Sequence, residues 1–495
     1  MTGTDQSAAR SAAQRRAARE LLRVAPVLDE LARRFTGAGH ELALVGGWVR
    51  DVLLGREHDG DLDLTTDARP EQVKTLVEGW ADSVWDVGQA FGTIGCRRGP
   101  WTLEITTYRA ESYDRASRKP EVAYGTSLTD DLVRRDFTVN ALAVALPSHE
   151  FVDPYGGLRD LADRVLRTPG TPEASFSDDP LRMLRAARFA ASLDFDVAPD
   201  VVAAMSAMAD RLEIVSAERV REELSRLLLS AEPRRGLALV VDTGLADRVL
   251  PELSALRLEI DEHHRHKDVY EHSLTVLEQA IALEHRLADG GPDLVLRLAA
   301  LLHDIGKPRT RRFEPGGGVS FHHHDVVGAK LTRKRLTALR YPKAVVDDVA
   351  TLVQLHLRFH GYGGGGWTDS AVRRYVRDAG PLLPRLHVLT RADCTTRNRR
   401  KATALRAAYD DLEARIDRLA EQEELAAIRP DLDGNAIMAA LAVPPGPLVG
   451  RAYRHLLEVR LDRGPLSEEE ALGELRRWWA EQPESAAAPA RTTGR

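Results

Sequence analysis

The sequence predicts an α+β chain, a small mixed α/β head followed by an all-α body, and three observations carry that expectation. From about Val24 to Ile105, short apolar strands alternate with helical stretches and glycine turns. Past Pro169–Pro180, apolar residues recur at helical spacing almost to the end. The length, 495 residues, exceeds what one ordinary core organises, so three or four compact units are expected. Apolar content of 43% beside 29% charged residues is that of a soluble globular protein. No apolar run approaches the roughly 18 residues that a membrane span needs. The Ala-, Arg- and Gln-rich start has no apolar segment, so no secretory signal is expected. Two cysteines, Cys96 and Cys394, exclude a disulfide framework and point to a reducing cytoplasm.

Residues 1–22 read as a flexible lead-in and 23–168 as the head. Within it Leu42–Val45 is a strand running into Gly46-Gly47, and a helix follows from about Trp48 to Gly55. Leu62–Leu64 and Trp101–Thr107 read as strands, and Val139–Leu146 is a further apolar run. The helical body divides at 169–256, 257–402 and 403–480. Its breaks fall at Pro233, Pro251, Gly290-Gly291-Pro292 and the glycine runs 316–318 and 363–366. Residues 481–495 are Ala-, Pro-, Thr- and Arg-rich and read as disordered. No internal repeat is present.

Gly46-Gly47 lets a phosphate approach backbone N–H groups at a helix start, and Arg50 adds a cation one turn in. A bare Gly-Gly is equally a tight strand-to-helix turn. Asp61 and Asp63 follow. In a strand, residues i and i+2 share a face, so the two carboxylates aim at one point. Like charges that close repel unless a cation lies between them. Hard oxygen ligands suit Mg2+ with substrate phosphates, the arrangement for phosphoryl or nucleotidyl transfer. An isolated Asp-x-Asp is more often a solvated strand face; its place after Gly46-Gly47-x-x-Arg50-Asp51 reverses that balance. Glu104, in Leu103–Tyr108, is a third carboxylate or an exposed strand residue.

Together these segments resemble motif A of the class II tRNA nucleotidyltransferase and bacterial poly(A) polymerase family. Arg134-Arg135-Asp136-Phe137-Thr138-Val139-Asn140-Ala141-Leu142 resembles the next motif, which in that family reads the ribose. Asp153-Pro-Tyr-Gly156-Gly157-Leu-Arg-Asp160-Leu161 resembles the head–neck hinge. Asp178-Asp179-Pro180-Leu181-Arg182, continuing through Arg185 and Arg188, resembles the fourth motif, and Glu218-Arg219-x-x-Glu222-Glu223-Leu224 the fifth, which supports the neck. The resemblance implies a nucleotidyltransferase head and a helical neck carrying a nucleotide-templating helix. It places Mg2+ on the catalytic Asp61 and Asp63. Nucleotide contacts fall to Gly46, Gly47, Arg50, Arg134, Arg135, Asp136, Asp179, Arg182, Arg185 and Arg188.

Base choice has a physical reading. Cytosine and adenine each present an exocyclic amine donor beside a ring-nitrogen acceptor, whereas uracil and guanine reverse that order. One carboxylate beside one guanidinium accepts the first pair and rejects the second, because mispaired buried polar groups are costly. Asp179 and Arg182, spaced i, i+3, are expected on one helix face, with Arg185 and Arg188 continuing toward a triphosphate. Taken alone, the Asp179–Arg182 spacing reads better as a surface salt-bridge ladder. The family commonly has Glu where Asp178 stands; the charge is kept and its helix-start role is expected to survive. Residues 109–124 resemble the family's flexible loop, which implies both C and A addition.

The body holds a second constellation. His303-Asp304 ends the apolar run Leu296–Leu302, with His272 upstream and Asp393 downstream. This order resembles the HD phosphohydrolase superfamily and implies an HD metal-binding domain over 257–402. His324 and His356 sit where such enzymes carry additional ligands, and Lys307 where phosphate is contacted. Imidazole with carboxylate suits a divalent transition metal, Mn, Ni or Zn. Residues 430–470 resemble the tail of HD-bearing CCA-adding enzymes, which implies a tRNA-binding tail over 403–480.

The implied partners are the acceptor–T arm of tRNA, CTP and ATP, with no membrane; the sequence fixes no oligomeric state. Net charge of −6 carries no general basic footprint. RNA contact then falls to local clusters such as Arg333/Lys334/Arg335 and Arg397/Arg399/Arg400/Lys401, each equally a solvated helix face. Rival readings are a poly(A) polymerase and an HD phosphohydrolase with an RNA-binding head.

Overall fold

The computed structural model describes residues 23–56, 60–86, 92–108, 125, 127–258, 268–315, 319–359, 362, 367–395, 398–423 and 429–484. Residues 1–22, the segment 109–124, both glycine runs, Arg397 and the chain from 485 onward lie outside the described residues. By contacts the chain forms two units, one reaching Ser254 and taking in Ala338–Tyr341, the other holding the remainder from Ala255. Among the described residues no helix is long and apolar enough to cross a membrane. Cys96 and Cys394 are both free.

The first unit is built on a seven-stranded sheet: β1 (Leu42–Val45), β2 (Asp61–Thr66), β3 (Ser83–Trp85), β4 (Thr93–Arg98), β5 (Trp101–Thr107), β6 (Ala143–Leu146) and β7 (Glu150–Val152). Their spatial order is β3-β4-β5-β2-β1-β6-β7. Neighbours run antiparallel except β2 and β5, which are parallel with Asp63 beside Glu104. The predicted strands and the helix after Gly46 lie where the pattern placed them. That helix, Gly47–Leu54, stops because Gly55 takes the left-handed conformation, φ 71°, that ends helices without strain. The apolar run from Val139 is not one strand: Thr138–Asn140 forms a 3-10 turn and the strand starts at Ala143. Asn140 Nδ2 donates to Asp136 Oδ1 at 2.8 Å, a local bond that competes with the sheet ladder.

Helix Leu181–Leu193 packs against Ala217–Leu228 and Pro233–Asp242. Among its described residues the second unit is helical apart from a two-stranded ribbon, Arg312–Phe313 with Val319–Ser320. Its last three helices, Gly434–Leu441, Pro447–Arg463 and Glu468–Ala480, share a small core around Ile437, Leu456 and Leu475. Such short helices persist only through that mutual burial.

Candidate active site

Alternation along β2 does what the sequence requires of it. Leu62 and Leu64 are buried while Asp61 and Asp63 stand together on the open face. The parallel register sets Glu104 of β5 beside Asp63, so its carboxyl stands next to the pair. Loss of water raises the Asp63 carboxyl; Arg135 opposes that and Asp61 adds to it. Glu104 is raised by loss of water, then by Asp63 and Asp61. Two raised carboxyls beside Asp61 fit a bound cation. Beside them lies a cavity of about 300 Å3 lined in part by Asp63, Asp131, Arg134, Arg135, Asp178 and Arg182. A larger cavity, about 490 Å3, lies elsewhere in the head around Glu41, Tyr108 and Ser127 and holds none of the predicted residues.

Gly46 explains how Arg135 reaches Asp63. Its φ is +78°, and a Cβ there would lie 3.0 Å from Arg135 Nη1 and 3.4 Å from Asp63 Oδ2. Arg50 has protein partners. It is buried, donates to both oxygens of Asp51 at 2.8 and 2.7 Å and to Asn140 Oδ1 at 2.6 Å, and lies over the Phe189 ring.

Arg185 and Arg188 also have protein partners. Arg185 Nε and Nη2 reach Asp136 Oδ2 at 2.8 and 2.6 Å. Glu223, from helix Ala217–Leu228, receives Arg185 at 3.5 Å and Arg188 at 2.9 Å. Burial alone would raise the Asp136 carboxyl, but Arg185 and the Asn140 amide outweigh it and hold it well below the usual carboxylate range. Burial brings the Arg188 guanidinium down to about 10. The stripe predicted to run toward a triphosphate is thus a buried ion network joining the second, fourth and fifth motifs.

The fourth motif needs the clearest correction. Asp179 and Arg182 do not share a helix: Asp178 ends the helix Pro172–Asp178, and the next begins at Leu181. Pro180 is the reason. A residue before proline is pushed out of the helical region, and Asp179 sits at φ −145°, ψ 100°. The helix-start role expected of Asp178 belongs to Asp179, whose Oδ1 accepts from Leu181 N–H at 3.1 Å. Arg182 Nη1 donates to Ser175 Oγ at 2.9 Å, and its Nη2 to the Arg134 carbonyl.

In the second unit the structure brings all six predicted ligands together. His272 Nε2 lies 3.0 Å from Asp393 Oδ1 and 3.3 Å from His303 Nε2; His324 Nε2 lies 3.3 Å from Asp304 Oδ1. They form two ligand groups, His272/His303/Asp393 and Asp304/His324/His356. Local structure sets the histidines. His303 and His356 each cap the C-terminus of a helix, and each Nδ1–H donates to the carbonyl three residues back, Ala300 at 2.8 Å and Val353 at 2.6 Å. His324 does the same to Phe321 at 2.8 Å. A carbonyl only accepts, so each Nδ1 carries a proton and each Nε2 is the ring nitrogen left to face the cluster. His356 Nε2 is buried without a hydrogen-bond partner, and burial with His303 nearby brings its ring down to about 3, a neutral donor awaiting a cation. Burial disfavours charge on His303 as well, but Asp304 and Asp393 push it up to about 9. Lys307 Nζ lies 2.9 Å from Asp304 Oδ2. Gly306 is required here, since a Cβ would collide with the His324 carbonyl. Sequence reasoning missed Thr395, whose Oγ1 meets His272 Nδ1 at 3.2 Å.

Comparison with known proteins agrees with this layout. Residues 42–167 match the poly A polymerase head domain, 194–256 a probable RNA and SrmB-binding site of polymerase A, and 269–398 the HD domain. The chain is 38% identical over 451 residues to an A-adding tRNA nucleotidyltransferase of Deinococcus radiodurans, covering 90% of this chain and 96% of that one. It is 34% identical to a CC-adding tRNA nucleotidyltransferase of Thermus thermophilus, covering 88% and 93%. A CCA-adding enzyme of Bacillus pumilus is 40% identical over 222 residues, 45% of this chain and 54% of that one. Both the head and the HD families are metal-dependent. The chain belongs to the class II tRNA nucleotidyltransferase and poly(A) polymerase family, in a form that carries a C-terminal HD domain.

Proposed function

We propose that this protein builds or repairs the 3′-terminal CCA of tRNA, transferring CMP and AMP from CTP and ATP without a nucleic-acid template. The observation that carries the reading is the meeting of Asp61, Asp63 and Glu104 on one sheet face beside a cavity that also takes in Arg182. Asp61 and Asp63 would hold Mg2+, with Glu104 as the neighbouring carboxylate. A divalent ion there activates the attacking 3′-hydroxyl and neutralises the leaving pyrophosphate. Arg135 brings fixed positive charge to the phosphate side, and the Gly46-Gly47 turn leaves room for it. Asp179 and Arg182 offer the acceptor and the donor that suit cytosine and adenine. The Asp136–Arg185–Glu223–Arg188 network acts from behind, fixing the neck helix against the head motif.

Relatives named for adding A, CC and CCA support a pocket built for those two bases. The acceptor is the acceptor–T arm of tRNA, recognised by shape and backbone through basic patches and the tail over 403–480. The reaction takes place in a reducing cytoplasm, in keeping with two free cysteines. Incorporation of labelled CMP and AMP into tRNA lacking CCA tests the site. An Asp61→Ala/Asp63→Ala double variant is expected to lose all incorporation, and retained incorporation contradicts the reading.

A second activity is favoured by the histidine cluster. Two buried groups of three ligands, with Nε2 atoms turned to the cluster, suit Mn, Ni or Zn and hydrolysis of a phosphate ester. Phosphatase and cyclic phosphodiesterase assays with each metal test it; activity unaffected by His303→Ala would exclude this site.

A further inference from the structure

The two residues proposed to read the base are each tied from outside the pair. Arg182 is held by Ser175, through Oγ at 2.9 Å and the carbonyl at 3.3 Å. Asp179 Oδ1 accepts from Leu181 N–H at 3.1 Å, and its Oδ2 accepts from Arg219 Nη2 at 2.7 Å. Arg219 stands in the first turn of helix Ala217–Leu228, where its own N–H completes the Ser216 cap. The side chain is thus delivered to Asp179 from a separate, firmly started helix.

This ion pair is a poor stabiliser: the Arg219 side chain is 48% exposed, and exposed pairs contribute little. Its consequence is directional. A carboxylate has about four lone-pair sites. With one donor on each oxygen, its plane is fixed at two points, and a lone pair on each oxygen stays available. We propose that Arg219 is a positioning residue that aims the Asp179 carboxylate at the exocyclic amine of the incoming base and so sets discrimination for C and A. The inference rests on the base reading assigned above to Asp179 and Arg182. Rejecting uracil requires a carboxylate that cannot turn away from the O4 carbonyl, and likewise guanine O6. Without Arg219 only the Leu181 N–H fixes Asp179, and rotation about Cβ–Cγ relieves that clash.

The test measures kcat/KM for CTP against UTP on tRNA ending at the discriminator base, and for ATP against GTP on tRNA ending in CC. Arg219→Gln is expected to lower the preferred-to-rejected ratio at least about tenfold. Arg219→Lys, which keeps the charge but offers one compact donor head, is expected to fall between Gln and wild type. A merely structural role would slow all four nucleotides together and leave the ratios unchanged. Wild-type ratios in both variants, whatever the overall rate, overturn the inference alone. A wild-type enzyme that incorporates neither CMP nor AMP overturns the proposed function and this inference with it.

Discussion

The open acidic face of β2 and β5 and the buried cluster between His272 and Asp393 gather metal-ligating groups in opposite ways. In the head, ligands are all oxygen, Asp61 and Asp63 are exposed, and the carboxyls of Asp63 and Glu104 are raised. Arg135 offsets only part of that rise at Asp63. In the HD unit, imidazole nitrogens alternate with carboxylates, His303, Asp304 and His356 are all but fully buried, and backbone carbonyls three residues back fix three of the rings. Its mixed nitrogen and oxygen donors suit a transition-metal ion, whereas the all-oxygen face suits a hard cation with phosphates.

The sharpest way to break this contrast is to remove one centre and read both. Asp304→Ala takes a carboxylate from the middle of the cluster and is expected to cut phosphohydrolase activity roughly 10³-fold. CMP incorporation should stay within about twofold; a parallel loss of incorporation would show that the centres are not independent. Next in size, Asp136→Asn leaves Arg185 without its closest partner and should cost about 3 kcal/mol in urea unfolding. The sign with pH follows. The folded Asp136 carboxyl lies below its unfolded value, so its stabilisation is complete above about pH 4 and is lost as pH falls further. The wild type should therefore lose more stability on acidification than Asp136→Asn.

Glu104→Gln sharpens the account of the open site. It should lower incorporation about 10- to 100-fold and raise the Mg2+ concentration required, leaving HD metal content unchanged. Wild-type Mg2+ dependence would return Glu104 to an ordinary strand residue. Gly46→Ala is the mildest change, about 1–2 kcal/mol from the left-handed backbone. It should also reduce turnover by pressing on Arg135 and Asp63, seen as a lower kcat in steady-state incorporation.

Local patterns were legible in the sequence and long-range partners were not. Asp61 and Asp63 followed from strand periodicity, and the head-then-helices layout from apolar spacing. The six HD-site residues followed from family resemblance, and the geometry brings all of them together. Glu104 stayed open because its role depends on the β2–β5 register, which no local signal sets. The protein partners of Arg50, Arg185 and Arg188 were not legible, because Asn140, Asp136 and Glu223 lie far away in the chain. The place of Asp179 was legible. Pro180 was in plain view, and its steric demand on the preceding residue forbids the continuous helix that an i, i+3 pairing assumes.

One measurement decides most. Wild-type protein, Mg2+, CTP and ATP are incubated with tRNA ending at the discriminator base, and the 3′ ends are sequenced. Ends reading CCA, with growth stopping there, are the expected result. Long A tails formed from ATP alone would contradict it, and ends halted at CC, or A added only to tRNA already ending in CC, would contradict full CCA synthesis by this chain.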